Sequence, residues 1–188
     1  MEIIKSENDF YTSVEKSLDE IDSVWRGKKG LIVLGSHAPT DVDLKLAAIK
    51  DAREKGTPFL GICFGMQLMC IEHARSCGGV SKASTEELSG DKNDLIHKLP
   101  KLRVGMFSVD SWYATQGESH WHHYALNPHY KEHFNHFFDI SWSDGGDVAE
   151  VMRLRDHPFF VGVQFHPEYQ STKEKPHPVL RDFISACK

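Results

Sequence analysis

Cys63 has the sequence context of a cysteine nucleophile. In the stretch 58–75, an apolar run ends just before this cysteine, and apolar residues recur at helical spacing just after it. Gly61 and Gly65 flank it in a Gly-x-Cys-x-Gly pattern, the thiol counterpart of the nucleophile elbow. Glycines permit the tight turn, and a helix that starts here favours a thiolate at its N-terminus. A buried core cysteine is the alternative, but the two glycines favour a reactive one.

His166 and Glu168 can supply the base that a cysteine nucleophile needs and the group that orients this base. They follow the apolar run 161–165, which is typical of a buried strand. In an open α/β sheet, loops at the carboxyl ends of the strands meet at one edge, so His166 can approach Cys63. A solvated loop is the alternative for the His-x-Glu pair alone. Together with the cysteine, the pattern predicts a Cys63–His166–Glu168 triad.

The composition of the 188 residues is that of an ordinary globular domain, with 40% hydrophobic and 26% charged residues. The formal net charge of −5 and the lack of a basic run argue against nucleic acid as the main partner. No apolar run approaches the roughly 20 residues of a membrane span, and the polar start 1–13 is unlike a signal peptide. These features predict a cytoplasmic protein that does not bind a membrane.

Neither the cysteines nor the histidines form a convincing metal-binding pattern. The four cysteines are Cys63, Cys70, Cys77 and Cys187. Because no Cys-x-x-Cys pair occurs, a reduced protein without structural zinc is favoured. His120 and His122 would share one face of a strand with Glu118, but a polar wall of the active-site cleft is the preferred interpretation of this group. We therefore predict no metal and no other cofactor.

Strand-like and helix-like segments alternate along most of the chain. Predicted helices lie at 7–22, 43–56, from 65 onward, 127–138 and 178–187; predicted strands lie at 1–4, 29–35, 58–62, 102–112, 119–127, 159–165 and on both sides of a turn at 144–147. Residues 78–99 are polar and are predicted to be irregular surface chain. This alternation indicates an α/β protein, a three-layer sandwich with a mostly parallel central sheet. We predict a single domain, residues 1–188.

Several stretches of the sequence resemble a known enzyme family. The segments GICFGMQ and GVQFHPE, in this order, resemble the class I glutamine amidotransferase domain. The STE at 84–86, HWHHYALNP at 120–128 and DHPFFVGVQFHPEYQS at 156–171 are similar to the glutaminase domain of CTP synthase. The resemblance extends from about Leu31 to the C-terminus. It implies a flavodoxin-like fold.

The resemblance also implies a reaction and roles for individual residues. Cys63 would attack the side-chain amide of glutamine, His166 would protonate the departing ammonia, and water would hydrolyse the γ-glutamyl thioester. The oxyanion hole would be formed by the backbone N–H groups of Phe64 and Ser36. Glu86 would help to hold the α-amino group of the substrate. The positions expected to face the substrate are Gly35, Gln67, Glu86, Trp121 and His122.

The sequence departs from the family pattern at positions that bear on function. It contains no P-loop and no synthetase part, so we expect that it does not make CTP by itself. The Pro-Gly-Gly loop of the family is replaced by Leu34–His37, which changes the second oxyanion donor. Trp121 takes the place of the arginine that would bind the glutamine carboxylate. An indole cannot replace the bidentate contact of a guanidinium.

Three hypotheses follow from this combination of a complete triad and altered substrate contacts. The first is a free-standing amidotransferase-like enzyme that cleaves a γ-glutamyl amide, with a synthetase or another ammonia acceptor as a possible partner. The second is a γ-glutamyl hydrolase without ammonia transfer, whose substrate lacks a free α-carboxylate. The third is a weakened paralogue of a CTP synthase glutaminase domain that binds an enzyme of nucleotide metabolism as a regulatory subunit. We favour the first.

Overall fold

A central sheet of six strands organises the computed structural model, which describes residues 1–4, 11–113, 117–143, 145 and 147–187. The strands are β1 (Glu2–Ile4), β2 (Leu31–Val33), β3 (Phe59–Ile62), β4 (Ile96–Phe107), β5 (Glu118–Leu126), β6 (Phe138–Ser143), β7 (Val148–Leu154) and β8 (Phe160–Val163). The helices are α1 (Tyr11–Ile21), α2 (Val42–Lys55), α3 (Phe64–Ser76), α4 (Glu86–Ser89), α5 (Lys131–Asn135) and α6 (Pro178–Ala186). No helix in the described part of the chain is long and apolar enough to cross a membrane.

The strand order in the central sheet is β1-β2-β3-β8-β7-β6. The first four strands are parallel to one another, β7 is antiparallel to β8, and β6 is antiparallel to β7. Parallel strands are covered on both faces, which explains the short, wholly apolar runs of β2 and β8. The predicted α/β fold with a mostly parallel sheet is therefore confirmed.

The helices cover the sheet from both sides and form two apolar cores. On one side, α2 and α3 pack against alternate strand residues such as Leu31 and Val33. On the other side, α1 and α6 pack against Ile32 and its neighbours. Because successive side chains of a strand point to opposite faces, one short strand contributes to both cores. This is the predicted three-layer arrangement.

The two remaining strands, β4 and β5, form an antiparallel pair outside the central sheet. Their pairing is irregular between Lys98 and Arg103. The pair is attached to the main sheet just past β8, where the backbone N–H of His166 donates to the carbonyl oxygen of Ser119 at 2.8 Å. The strand β5 therefore lies against the edge of the sheet where the catalytic residues are expected.

Several element predictions were wrong in part, including the strand predicted at 102–112, which runs from Ile96 to Phe107. The segment 78–99 is not wholly irregular, since it contains α4 and the first residues of β4. The helix predicted at 127–138 is replaced by a 3-10 turn at Pro128–Tyr130, the five-residue α5, and the start of β6. Phe138 is buried and pairs with Leu154, so a sheet contact distant in sequence prevails over a weak local helix preference.

Other boundaries agree more closely. The helix α2 ends at Gly56, whose φ of 65° suits glycine and whose N–H donates to the carbonyl oxygen of Ala52. The strand β8 is shorter than the predicted 159–165. The predicted first helix begins at Tyr11 among the described residues, and positions 7–10 lie outside them.

Candidate active site

Cys63 is the single residue between β3 and α3. Its φ is 52° and its ψ is −105°, a backbone conformation that costs a non-glycine residue about 1–3 kcal/mol. The backbone is held there by a hydrogen bond from the N–H of Cys63 to the carbonyl oxygen of Val163, at 2.8 Å. The sulfur is thereby placed at the N-terminus of α3 and at the carboxyl edge of the sheet.

The two glycines of the motif allow α3 to lie against the neighbouring strands. A Cβ on Gly61 would lie 2.7 Å from the carbonyl carbon of Gly65. A Cβ on Gly65 would overlap the carbonyl oxygen of Val33. Because these contacts are with backbone atoms, neither could be relieved by a side-chain movement. The elbow therefore requires both glycines.

His166 and Glu168 lie beside the elbow and are buried together. His166 follows the end of β8, and a 3-10 turn at Pro167–Tyr169 brings the Glu168 carboxylate back to it. The distance between Nδ1 of His166 and Oε1 of Glu168 is 2.8 Å. The hydroxyl of Ser17 in α1 donates to the Glu168 carbonyl oxygen at 3.1 Å and fixes the turn from the other side. The structure thus brings the three predicted triad residues together.

The environment of His166 favours its protonated form. Burial by itself lowers the pKa of His166, but the Cys63 sulfur and the Glu168 carboxylate outweigh this effect and raise it to about 10. Cys63 and Glu168 each stabilise a positive imidazole through both charge and a hydrogen bond. A protonated imidazole next to the nucleophile can give its proton to a leaving amine.

The sulfur has a further side-chain neighbour that the sequence did not identify. Nε2 of Gln164 donates to Sγ of Cys63 at 3.7 Å. On its other side, Oε1 of Gln164 lies 3.5 Å from Nε2 of Gln67, which also donates to the carbonyl oxygen of Tyr124 at 2.9 Å. Gln164 is completely buried. An amide inside the apolar run 161–165 was the signal that could have indicated it.

A small cavity of about 150 Å³ adjoins the sulfur. It is lined by Ser36, His37, Cys63, Phe64, Gln67, Glu87, Leu102, Trp121, His122, His123 and Tyr124. Sites for drug-sized ligands usually enclose about 300–1,000 Å³, so this cavity suits the side chain of a small metabolite. Three of the positions that were expected to face the substrate, Gln67, Trp121 and His122, line it, whereas Gly35 is buried and does not line it.

Glu87, rather than the predicted Glu86, is the carboxylate at this cavity. The two residues begin α4, so their side chains point in different directions. Oε2 of Glu86 accepts a hydrogen bond from the backbone N–H of Lys98 at 2.7 Å, in a neighbouring depression. The protein around Glu87 partly excludes water from its carboxyl group and raises its pKa above the ordinary value.

The two predicted oxyanion donors differ in their surroundings. Phe64 is the first residue of α3, where backbone N–H groups have no acceptor within the helix. Ser36 belongs to the loop after β2, and its hydroxyl donates to the carbonyl oxygen of Ala38 at 2.6 Å. This side chain therefore stabilises its own loop. Both residues line the cavity, as the proposed roles require.

The outer wall of the cavity is formed by β5. Trp121 is 53% exposed, and its indole meets the ring of His37 edge-on at 6.1 Å. The carbonyl oxygen of Trp121 lies 3.8 Å from the Cys63 sulfur. His122 points inward, and its Nδ1 donates to the carbonyl oxygen of Tyr124 at 2.9 Å. The exposed indole of Trp121 and the buried imidazole of His122 thus form part of the cavity wall.

A buried charged cluster supports this wall from behind. Glu150 accepts hydrogen bonds from Nη1 of Arg103 at 2.7 Å, from Nε2 of His120 at 2.9 Å and from the hydroxyl of Ser143. Nδ1 of His120 lies 2.8 Å from the carbonyl oxygen of Glu118. Both ring nitrogens of His120 therefore face an oxygen acceptor.

His120 and His122 thus serve as hydrogen-bond donors in this wall. Burial lowers the pKa of His122 to about 3, and the positive charges of His120 and Arg103 add to this effect. Among the described residues, no group of three histidine, cysteine or acidic side chains is arranged to hold a metal ion. The polar-wall interpretation of these histidines agrees with their contacts.

Almost the whole chain is similar to proteins of one family. The family model described as "Glutamine amidotransferase class-I" matches residues 7–186. The CTP synthase of Ruminiclostridium cellulolyticum is 33% identical over 190 residues, which cover 89% of this chain and 36% of that protein. The CTP synthase of Prochlorococcus marinus strain MIT 9215 is 36% identical over 197 residues, which cover 93% of this chain and 35% of that protein. The chain therefore spans about a third of the length of these relatives.

Solved structures share the fold. The structure described as the glutaminase domain of Trypanosoma brucei CTPS with bound acivicin has a TM-score of 0.84 and 23% identity, and the match covers 98% of this chain and 91% of that one. A second structure, described as a glutamine amidotransferase from Thermotoga maritima, has a TM-score of 0.53 and 16% identity, and the match covers 88% of this chain and 74% of that one.

Proposed function

The chain belongs to the class-I glutamine amidotransferase family, and on this premise we propose that it hydrolyses the side-chain amide of a γ-glutamyl substrate through a thioester on Cys63. One observation supports the proposal above all others. At a strained strand–helix turn, the Cys63 sulfur lies beside His166, whose other ring nitrogen is 2.8 Å from Glu168. Covalent amide hydrolysis needs a nucleophile beside an acid–base group that a third group orients, and Cys63, His166 and Glu168 are arranged in this way.

In the first half of the reaction, the thiolate of Cys63 attacks the amide carbon of the substrate. A carbon–sulfur bond forms, and the carbon–nitrogen bond breaks when His166 donates its proton to the departing nitrogen, which leaves as ammonia. The product on the enzyme is a γ-glutamyl thioester. Negative charge develops on the carbonyl oxygen during the attack, and the backbone N–H groups of Phe64 and Ser36 would stabilise it.

In the second half, water replaces ammonia at the thioester carbon. His166, now neutral, accepts a proton from the water as the carbon–oxygen bond forms and the carbon–sulfur bond breaks. The acid product loses its remaining proton to solvent and leaves as a carboxylate, and Cys63 and His166 return to their starting forms. The hydrogen bond to Glu168 keeps the imidazole ring in one orientation during both transfers.

Covalent trapping tests this proposal directly. The protein is treated with an electrophilic glutamine analogue and analysed by peptide mass spectrometry, and the expected result is one adduct, on Cys63. Cys77 serves as the internal control, because it is exposed but has no triad around it. An adduct on Cys77 alone, or no adduct on Cys63, would contradict the proposed nucleophile.

The released ammonia could be used by a partner protein. The matched CTP synthases align with this chain over about a third of their length, and we propose a synthetase as the acceptor. Co-purification of a synthetase with this chain, together with ammonia transfer in the complex, would support this extension. A third possibility, an inactive regulatory paralogue, receives no support from the triad geometry, and ammonia release by the isolated protein would exclude it.

A further inference from the structure

The cavity beside Cys63 is small and has an unusual charge distribution for a site that would bind free glutamine. Its volume is about 150 Å³. None of the described residues that line it is a lysine or an arginine, and Glu87 supplies a carboxylate. This inner cavity can accept the α-ammonium group of a substrate, but it has no permanent positive charge for an α-carboxylate.

A free α-carboxylate would be unfavourable in this cavity for two reasons. It would lose hydration without gaining an ionic partner, and burying an unpaired charge is costly. It would also be close to Glu87, whose pKa is already raised because the protein partly excludes water from it. The exposed indole of Trp121, which also lines the cavity, offers apolar contact and one N–H donor. A neutral amide at the substrate's α-carbon meets neither difficulty.

A second, larger depression adjoins the inner cavity, and His123 lines both. Its volume is about 540 Å³, and its lining includes Lys92 and Lys98. The carboxylate of Glu86 in this depression is already bonded to the backbone N–H of Lys98. Lys92 and Lys98 therefore place positive side chains in a depression that shares the lining residue His123 with the inner cavity.

From these two neighbouring sites we propose that the substrate is a short peptide with an N-terminal glutamine. The glutamine side chain and free α-amine occupy the inner cavity, with Glu87 as the acceptor for the α-ammonium group. The α-carbonyl is in a peptide bond and is uncharged, and the following residue lies in the outer depression, where its carboxylate meets Lys92 and Lys98. The products are ammonia and the peptide with N-terminal glutamate. This inference rests on the proposed amide hydrolysis and narrows its substrate.

Four related substrates test the inference with one measurement, the kcat/KM of ammonia release by the full chain. They are L-glutamine, L-glutaminamide, glutaminylglycine and glutaminylglycinamide. Masking the α-carboxylate should raise kcat/KM by about tenfold or more from glutamine to glutaminamide. The terminal carboxylate should raise it a further threefold or so from glutaminylglycinamide to glutaminylglycine, as is typical of an exposed ionic contact.

Variants of the outer depression test the role of its lysines. The double substitution Lys92→Gln and Lys98→Gln should bring glutaminylglycine down to the kcat/KM of glutaminylglycinamide. The matched control is Lys82→Gln, an exposed lysine outside both sites, which should leave the difference between the two peptides unchanged. Equal loss in the control and the double variant would overturn the assignment of the two lysines.

The outcomes also separate this inference from the proposed function. If glutamine is hydrolysed as well as or better than glutaminamide and the peptides, amide hydrolysis stands and the peptide inference is wrong. If neither peptide releases ammonia, the inference is wrong whatever the other substrates show. The proposed function fails with it only when glutamine and glutaminamide are also unreactive and no electrophilic analogue labels Cys63.

Discussion

His166 and His122 are both almost completely buried, yet their pKa values are shifted in opposite directions. That of His166 is raised to about 10, whereas that of His122 is lowered to about 3. Burial lowers the pKa in both cases. The difference comes from the partners: a sulfur and a carboxylate surround His166, whereas positive groups and a backbone carbonyl surround His122.

The comparison separates two regions around one cavity. The triad region holds a charged imidazole that can transfer a proton. The wall region, formed by β4 and β5, keeps His122 neutral and places its charges one layer further back, around Glu150. Changes in the triad should therefore alter the chemical step, and changes behind the wall should alter mainly folding stability. The following predictions test this division, from the largest expected effect to the smallest.

Removing the nucleophile should have the largest effect. Cys63→Ala should lower kcat by at least about 10⁴-fold, because no other group can form the thioester. Ammonia release under saturating substrate is the measurement. Cys77→Ala, at the exposed end of α3, is the matched control and should retain the wild-type rate. A Cys63→Ala rate within tenfold of the wild type would contradict covalent catalysis.

Neutralising the centre of the buried cluster should destabilise the wall. Glu150→Gln leaves Arg103 and His120 without their shared carboxylate, which should lower the free energy of unfolding by about 3–5 kcal/mol. Urea denaturation gives the measurement. Asp139→Asn, which removes a carboxylate from an exposed pair with Arg153 and Arg155, is the control and should cost about 1 kcal/mol or less.

The same comparison has a pH signature. The Glu150 pKa is about 2 in the folded protein: burial raises it, but His120, Ser143 and Arg103 lower it further than burial raises it. Because the folded pKa lies below the ordinary value of 4.5, the ionised Glu150 stabilises the folded protein fully above pH 4.5. This contribution is lost as the pH falls through about 2. The difference between wild type and Glu150→Gln should therefore be full at pH 6 and decrease below pH 4.5. A difference that grows with acidification would contradict the assignment.

Weakening the orientation of His166 should have an intermediate effect on catalysis. Glu168→Gln removes a group that raises the pKa of His166, so the alkaline limb of the kcat/KM profile should move from about pH 10 to lower pH. We also expect kcat to fall about a hundredfold at the optimum. An unchanged alkaline limb would show that His166 is not the group that titrates there.

The raised pKa of His166 also makes the free energy of unfolding depend on pH. Its folded pKa of about 10 lies above the ordinary value of 6.5, so the stabilising contribution is fully present below pH 6.5 and is lost as the pH rises through about 10. The unfolding free energy of Glu168→Gln should thus approach that of the wild type at strongly alkaline pH. This trend is opposite to the one expected for Glu150→Gln.

Removing the amide donor next to the sulfur should have the smallest effect. Gln164→Leu eliminates the hydrogen bond to Sγ of Cys63 and should lower kcat/KM about fivefold, the value of one ordinary hydrogen bond. The near-isosteric Gln164→Glu is the comparison, because a carboxylate oxygen near the sulfur repels the thiolate and should lower kcat/KM further. Equal kcat/KM values for the two variants would contradict this contact.

The sequence predicted that Cys63, His166 and Glu168 lie close together because each of them is part of a local pattern. Cys63 lies between two glycines, and His166 and Glu168 follow a short apolar run, so a few neighbouring residues identified the elbow and the loop. The mostly parallel sheet followed from the same alternation of buried strands and amphipathic helices. These features depend on interactions close in sequence or on simple periodicity.

The remaining site contacts could not be predicted because they join distant segments. The polar Gln164 is conspicuous within its apolar run, but only the fold places its amide beside Cys63. Which of the neighbouring residues Glu86 and Glu87 faces the cavity at Cys63 depends on where α4 begins. Because the two side chains point in different directions, Glu87 lines this cavity and Glu86 lines the other depression. Likewise, only tertiary packing brings the wall formed by β4 and β5, and with it the carbonyl oxygen of Trp121, to the Cys63 sulfur.

The backbone conformation of Cys63 has a consequence for how this protein would change under selection. At φ 52° and ψ −105°, glycine would be tolerated better than any residue with a Cβ, so Cys63→Gly should be more stable than the wild type. Selection for heat resistance alone would therefore tend to discard the nucleophile, and only a requirement for turnover would retain it. At this position, thermal robustness and reactivity are opposing traits, and a screen for improved variants must measure both.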